Sequence, residues 1–174
     1  MMKGIILYKS KYGATQKYAM WLSQKTGFEY IDITNADINI VKEFDVIIIG
    51  GGIYASSISG ISFLKKNIDV LQNKKIIVFC TGASSFDKKA FKQIINYNLG
   101  DKFKNIPCFY CRGAWDMDKM NMVDKNLCIL LKKAAEKKKE EDYHVWEKAL
   151  MAIGDNKYDW TDIKYIEPIL EEIK

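Results

Sequence analysis

The chain has 174 residues, 48% of them hydrophobic and 28% charged, and carries a net charge of +5. That length suits one domain with a full core rather than two, and the composition excludes disordered and fibrous classes. The positive charge is almost all lysine, with Arg112 the only arginine, and much of it is scattered along helix-like segments, so no nucleic-acid partner is expected.

In chain order, strand-like and helix-like patterns alternate. Ile5–Tyr8 reads as a strand, followed by a helix over about 15–25 with Ala19, Trp21 and Leu22 apolar. Phe28–Ile33 is a second strand, and a polar segment with Ile38, Ile40 and Val41 leads to a third, Val46–Ile49. The third is apolar throughout, as a strand covered on both faces must be. A helix is predicted over Ser62–Leu71, a fourth strand over Ile76–Cys80, a helix over Lys88–Tyr97 and a fifth strand over Ile106–Cys111. The expected fold is therefore α/β: a doubly wound, five-stranded parallel sheet in the order 2-1-3-4-5, with a helical insert after the fifth strand. In that insert Val123, Leu127, Leu130, Leu131 and Ala134 recur at helical spacing beside many lysines. Core packing is the reading taken for this stripe, and docking on an anionic surface is the alternative. Tyr143, Trp146, Leu150 and Met151 predict a shorter helix, and Trp160–Ile173 a last one that Pro168 kinks or divides. With no repeat, linker or boundary, residues 1–174 read as one domain.

The most informative stretch is Ser10-Lys11-Tyr12-Gly13-Ala14-Thr15, between the first strand and the first helix. A tight loop there leaves backbone N–H groups and the positive end of a helix dipole facing a dianion, with Ser10 and Thr15 as further donors. No Gly-Lys-Ser/Thr closes the loop, so it is not a Walker A motif; the competing reading is an ordinary strand-to-helix turn. Gly50-Gly51-Gly52-Ile53-Tyr54-Ala55 fits G-x-G-x-x-A but follows the third strand, and no acidic residue ends the next one, so it is a decoy. Phosphorelay acids and a C-x5-R phosphatase loop are both missing. Cys108-Phe109-Tyr110-Cys111 spells C-x-x-C, yet residues three apart on a strand point to opposite faces, so free thiols are expected rather than a disulfide or a metal site. His144, the single histidine, reads as a helix-surface residue, and no side chain stands out as a catalytic acid or base.

In a 2-1-3-4-5 sheet, ligands bind where strands one and three part, beyond their carboxyl ends. Three loops meet there. The first supplies Ser10, Lys11, Tyr12, Gly13, Ala14 and Thr15 as a phosphate nest; the second supplies Ile53, Tyr54, Ala55 and Ser56, small and flexible around one aromatic; the third supplies Thr81, Gly82, Ala83 and Ser84 as hydrogen-bonding groups. Together they suit a phosphorylated planar ring, with Tyr54 as its stacking face.

On these residues the sequence resembles the flavodoxin-like FMN proteins over nearly its whole length. Their shorter phosphate loop, Ser-x-x-Gly-x-Thr, is present as Ser10–Thr15, with Tyr12 where a small hydroxyl residue is commoner. Within that superfamily Arg112-Gly113-Ala114-Trp115-Asp116-Met117-Asp118-Lys119-Met120 and Tyr158-Asp159-Trp160-Thr161-Asp162 look closest to the menaquinone-dependent protoporphyrinogen dehydrogenase branch and its uncharacterised relatives. The resemblance implies FMN rather than FAD. It also implies an FMN-dependent oxidoreductase acting on a protoporphyrinogen-like substrate, with a quinone acceptor or another redox partner. An electron carrier between redox proteins is the alternative. Carriers of this kind tend to be acidic and lack the long insert, which favours the enzyme. No apolar run reaches the roughly 20 residues of a membrane span, and Met1–Gly4 runs into a strand without a leader pattern. A cytoplasmic location is expected, with peripheral contact at the inner face of the membrane.

Overall fold

Strands buried on both faces need apolar side chains at every position, and that requirement sets the centre of this protein. The computed structural model describes residues 2–154 and 156–174. Its strands are β1 (Gly4–Lys9), β2 (Glu29–Asp32), β3 (Val46–Tyr54), β4 (Ser57–Ile58), β5 (Lys75–Gly82), β6 (Cys108–Arg112), β7 (Ala114–Trp115) and β8 (Tyr158–Asp159). Its helices are α1 (Ala14–Thr26), α2 (Ile38–Val41), α3 (Ile61–Leu71), α4 (Lys88–Asn98), α5 (Met122–Ala135), α6 (Val145–Ile153) and α7 (Glu167–Ile173).

The main sheet runs β2-β1-β3-β5-β6, all parallel, with β4 paired antiparallel to β3. This is the expected order, because β4 is a two-residue hairpin strand that adds no layer. Alternate residues of β3 serve opposite faces. Ile47 and Ile49 pack with Leu64, Leu71 and Leu99 on the α3–α4 side. Val46 and Ile48 pack with Tyr18, Leu22 and Ile169 on the α1–α7 side. Cys108 and Cys111 divide between the two faces in the same way, and all four cysteines are free.

The glycines ending β3 are packing residues. A Cβ on Gly50 would lie 2.1 Å from the ring of Phe79, and one on Gly51 would lie 2.0 Å from the Ser59 carbonyl oxygen. The second strand stops at Asp32 because its carboxylate accepts from the Thr34 N–H and turns the chain into a 3-10 turn. The last helix is divided: a 3-10 turn over Ile163–Ile166 precedes α7, and Pro168 lies in its first turn.

After β6 the chain leaves the sheet and returns. β7 and β8 pair antiparallel, and the Trp160 N–H donates to the Gly113 carbonyl, so both ends of the insert are tied together. Between them α5 packs against α6. The expected core role of the α5 stripe is corrected: Val123, Leu127 and Leu130 are exposed, while Asp124, Cys128, Leu131 and Ala135 turn inward. Helical periodicity marks an apolar stripe but does not say what covers it.

Replacing Gly51 with Ala sets a methyl against backbone that cannot rotate away. The expected loss is about 1–3 kcal/mol or more, read as a lower urea midpoint; an unchanged midpoint would show that β3 and the Ser59 backbone are not packed this closely.

Candidate functional site

The first loop is a sharp turn from β1 into α1. Gly13 takes φ +97°, a left-handed conformation natural to glycine, and its N–H donates to Ser10 Oγ at 3.0 Å. No side chain caps α1 and no acidic residue occupies its first turn. The N–H groups of Ala14, Thr15 and Gln16 therefore lack intrahelical acceptors and share the positive end of a 13-residue helix. A Cβ at Gly13 would meet nothing within 4 Å, so that side of the turn is open.

Thr15 faces inward. It is 2% exposed, and its Oγ1 lies 2.7 Å from Thr81 Oγ1 on β5. One hydroxyl donates to the other, and the second keeps a proton for another acceptor. The expected direct donor is thus first of all a joint between the first and third loops.

The second loop, expected to be flexible, is an ordered hairpin. Ile53 pairs with Ile58 and Tyr54 with Ser57 across a two-residue turn, in which Ala55 and Ser56 both have positive φ, 46° and 67°. Such turns favour Asn-Gly, and left-handed backbone costs a non-glycine residue about 1–2 kcal/mol. Asn98, buried at the end of α4, holds the turn in place: its Oδ1 accepts the Ile58 N–H at 2.8 Å and its Nδ2 donates to the Ser56 carbonyl at 2.7 Å. The Tyr54 ring lies back over Gly52, with Lys11 Nζ 4.6 Å from its centroid. Burial pushes its phenol up to about 12, and the Lys11 N–H that its oxygen accepts acts the other way.

The third loop is held by its carbonyls. Gly113 N–H donates to Gly82 O at 2.8 Å and Arg112 Nε to Ala83 O at 3.2 Å, while the single Tyr110 Oη proton is shared between Ser84 O at 2.6 Å and Gly82 O at 3.0 Å. Ile53 Cδ1 lies 3.5 Å from a Cβ position on Gly82, which closes the second loop on the third. All three loops thus meet at one end of the sheet. Arg112 is spent on support, since its guanidinium also stacks 4.2 Å from the Trp160 ring.

Several residues at this end escape sequence reasoning. Asp124 of α5 reaches the first loop, receiving Lys11 Nζ at 2.9 Å and a short hydrogen bond from Tyr12 Oη. The Tyr12 bond first, and then Lys11, hold its carboxyl below the usual carboxylate range. Asn98, Tyr110 and Asp124 become visible only when distant segments meet; no local pattern marks them. Beside the first loop lies a cleft of about 370 Å³, lined by Tyr12, Gly13, Trp115, Lys119, Lys157 and Tyr158 among others. The indole N–H of Trp115 is buried there without a partner among the described residues. His144 begins α6, where its backbone N–H donates to Glu147, so it stays at the surface as expected. No cluster that could hold a metal occurs among the described residues.

A family model described as Flavodoxin domain matches residues 5–142. An uncharacterized protein of Methanocaldococcus jannaschii is 30% identical over 116 residues, covering 64% of this chain and 76% of that one. Among solved structures, a WrbA-like flavodoxin from Agrobacterium tumefaciens covers 72% of this chain and 88% of its own at 17% identity, with a TM-score of 0.50. The flavodoxin of Megasphaera elsdenii covers 62% and 82% at 17% identity, with a TM-score of 0.44. The likeness to the first of these solved structures is one of fold.

The Thr15–Thr81 joint is open to a double-mutant cycle. Thr15→Val and Thr81→Val should each destabilise, and the pair should be coupled by about 1 kcal/mol in urea unfolding. Strict additivity would mean that the two hydroxyls do not meet.

Proposed function

Because the chain belongs to the Flavodoxin domain family, we propose that its three loops hold FMN and that the cleft beside them admits a small-molecule redox partner. The protein is an FMN-binding flavoprotein with a redox role. When bound, FMN supplies one- and two-electron chemistry, and the chain supplies binding, orientation and electrostatics.

The residues fit the group. A terminal phosphate suits the uncapped α1 N-terminus, where Ser10 orders the Gly13 N–H and no carboxylate stands in the first helical turn. Tyr54, Ala55 and Ser56 form one wall for the ring system, and Gly82, Ala83 and Ser84 form the other, with their carbonyls fixed by Tyr110, Arg112 and Gly113. Trp115 lines the same cleft, and its indole N–H is buried without a partner among the described residues.

The cleft carries the choice of an enzyme over a carrier. The insert builds one side of it through Trp115, Asp116, Lys119, Lys157 and Tyr158, opposite Tyr12 and Gly13. A carrier that only passes electrons between proteins has no use for such a wall. The finer reading is an oxidation of a protoporphyrinogen-like substrate with a quinone acceptor, as in the menaquinone-dependent protoporphyrinogen dehydrogenase branch. Each removal of two electrons and two protons from the substrate is then matched by reduction of one quinone to its quinol. Lys119 at the cleft would meet acidic substrate groups, because Arg112 is already committed to Ala83 and Trp160, and Lys157 to Asp118 and Asp116.

The test is turnover. FMN-loaded protein given protoporphyrinogen and a soluble menaquinone analogue should oxidise the one and reduce the other well above the rate of free FMN, and Lys119→Glu should raise KM more than it lowers kcat. A rate equal to that of free FMN, together with fast exchange of electrons with a reductase and a redox protein, would identify a carrier.

A further inference from the structure

On α5, Val123, Leu127, Leu130 and Ala134 recur at steps of four, three and four residues and form one stripe. Nothing among the described residues covers it. Val123 is 75% exposed, Leu130 64% and Leu127 47%, and Met122 beside them is 80% exposed. A surface helix normally hides such a stripe against its own core; here the inward side is the narrower row of Asp124, Cys128, Leu131 and Ala135.

The charge around the stripe selects its partner. Residues 119–139 contain seven lysines against two acids, Asp124 and Glu136, an excess equal to the net charge of the whole chain. Asp124 is turned inward to Lys11 and Tyr12, so the outer side of α5 is more basic still. Lys133 lies on the exposed side of the helix and Lys137 follows its end, while Lys138 and Lys139 pair with Glu147 and Glu141 and the acidic run Glu140–Asp142 closes the basic stretch. No described helix is long and apolar enough to cross a bilayer. An exposed apolar stripe with lysines along it is the pattern of a helix that lies in the interface of an anionic membrane. A second copy is a poor partner for this face, because it would bring seven further lysines against these.

We propose that α5 docks the protein on an anionic lipid surface, with Val123, Leu127 and Leu130 entering the headgroup–acyl boundary and the surrounding lysines meeting lipid phosphates. The Asp124 contacts tie the first turn of α5 to the first loop. Docking therefore brings that end of the sheet to the lipid surface, within reach of an electron partner dissolved in the bilayer. Only this last consequence rests on the quinone reading; the docking itself requires no flavin.

Co-sedimentation of the full chain with vesicles tests it, using one part phosphatidylglycerol to two parts phosphatidylcholine, against phosphatidylcholine alone. The protein should bind the anionic vesicles and be released by salt. Leu130→Asp and Val123→Asp should each cut partitioning by roughly tenfold or more. The pair Lys133→Glu and Lys137→Glu should remove the preference for anionic lipid. These side chains are exposed, so urea midpoints and FMN content should stay at wild-type values and separate this result from the flavin reading. Absence of binding to anionic vesicles at low salt would overturn the proposal. So would Leu130→Asp binding like wild type, or a stable dimer in sedimentation velocity that Leu130→Asp dissolves.

Discussion

Tyr8 and Lys9 pair with Gly50 and Gly51 across parallel strands, and Gly51 and Gly52 pair in turn with Cys80 and Thr81. Parallel pairing sends every strand out at the same edge, so the loops after β1, β3 and β5 emerge side by side. Side chains on both faces would crowd that edge, and the chain answers with glycines at 50–52, the first two lying where Phe79 and the Ser59 carbonyl already fill the space of a Cβ. The Thr15–Thr81 hydroxyl pair then fixes the start of α1 to β5. The open donor end of α1 is held in one place by these contacts, and the flavin reading depends on that placement.

Rigidity at this end has a second source. Asn98 fixes a turn whose Ala55 and Ser56 are both left-handed, a conformation that would relax without its two hydrogen bonds. Tyr110 and Arg112 do the same for the third loop by occupying carbonyl oxygens at Gly82, Ala83 and Ser84. With the carbonyls engaged by protein donors, what these loops can offer a ligand is biased toward N–H groups. That is the right sign for a partner that presents phosphate and other hydrogen-bond-accepting oxygens.

Much of this was legible in the sequence because it is local. Ile47–Ile49 and Ile76–Phe79 announce doubly buried strands by having no polar alternation, and Ser10–Thr15 carries its loop, glycine and helix start within six residues. The opposite facing of Cys108 and Cys111 follows from strand periodicity alone. What stayed hidden is long-range. Thr15 meets Thr81, Asn98 meets Ile58 and Lys11 meets Asp124 across 66, 40 and 113 residues, and no pattern near either partner records the meeting. The α5 stripe failed for a different reason. Periodicity reported an apolar face correctly, but the neighbour that would bury it is a tertiary fact, and the described residues of the insert supply none.

The central claim is that an uncapped helix end, ordered by Ser10 and Gly13, binds the phosphate of FMN. The most direct measurement compares FMN with riboflavin, which lacks only that phosphate, by titration into the flavin-free chain. FMN should bind one per chain, with riboflavin weaker by roughly 100-fold or more, the worth of a few charge-assisted hydrogen bonds. Equal affinities for the two, or no binding of either, would contradict the account.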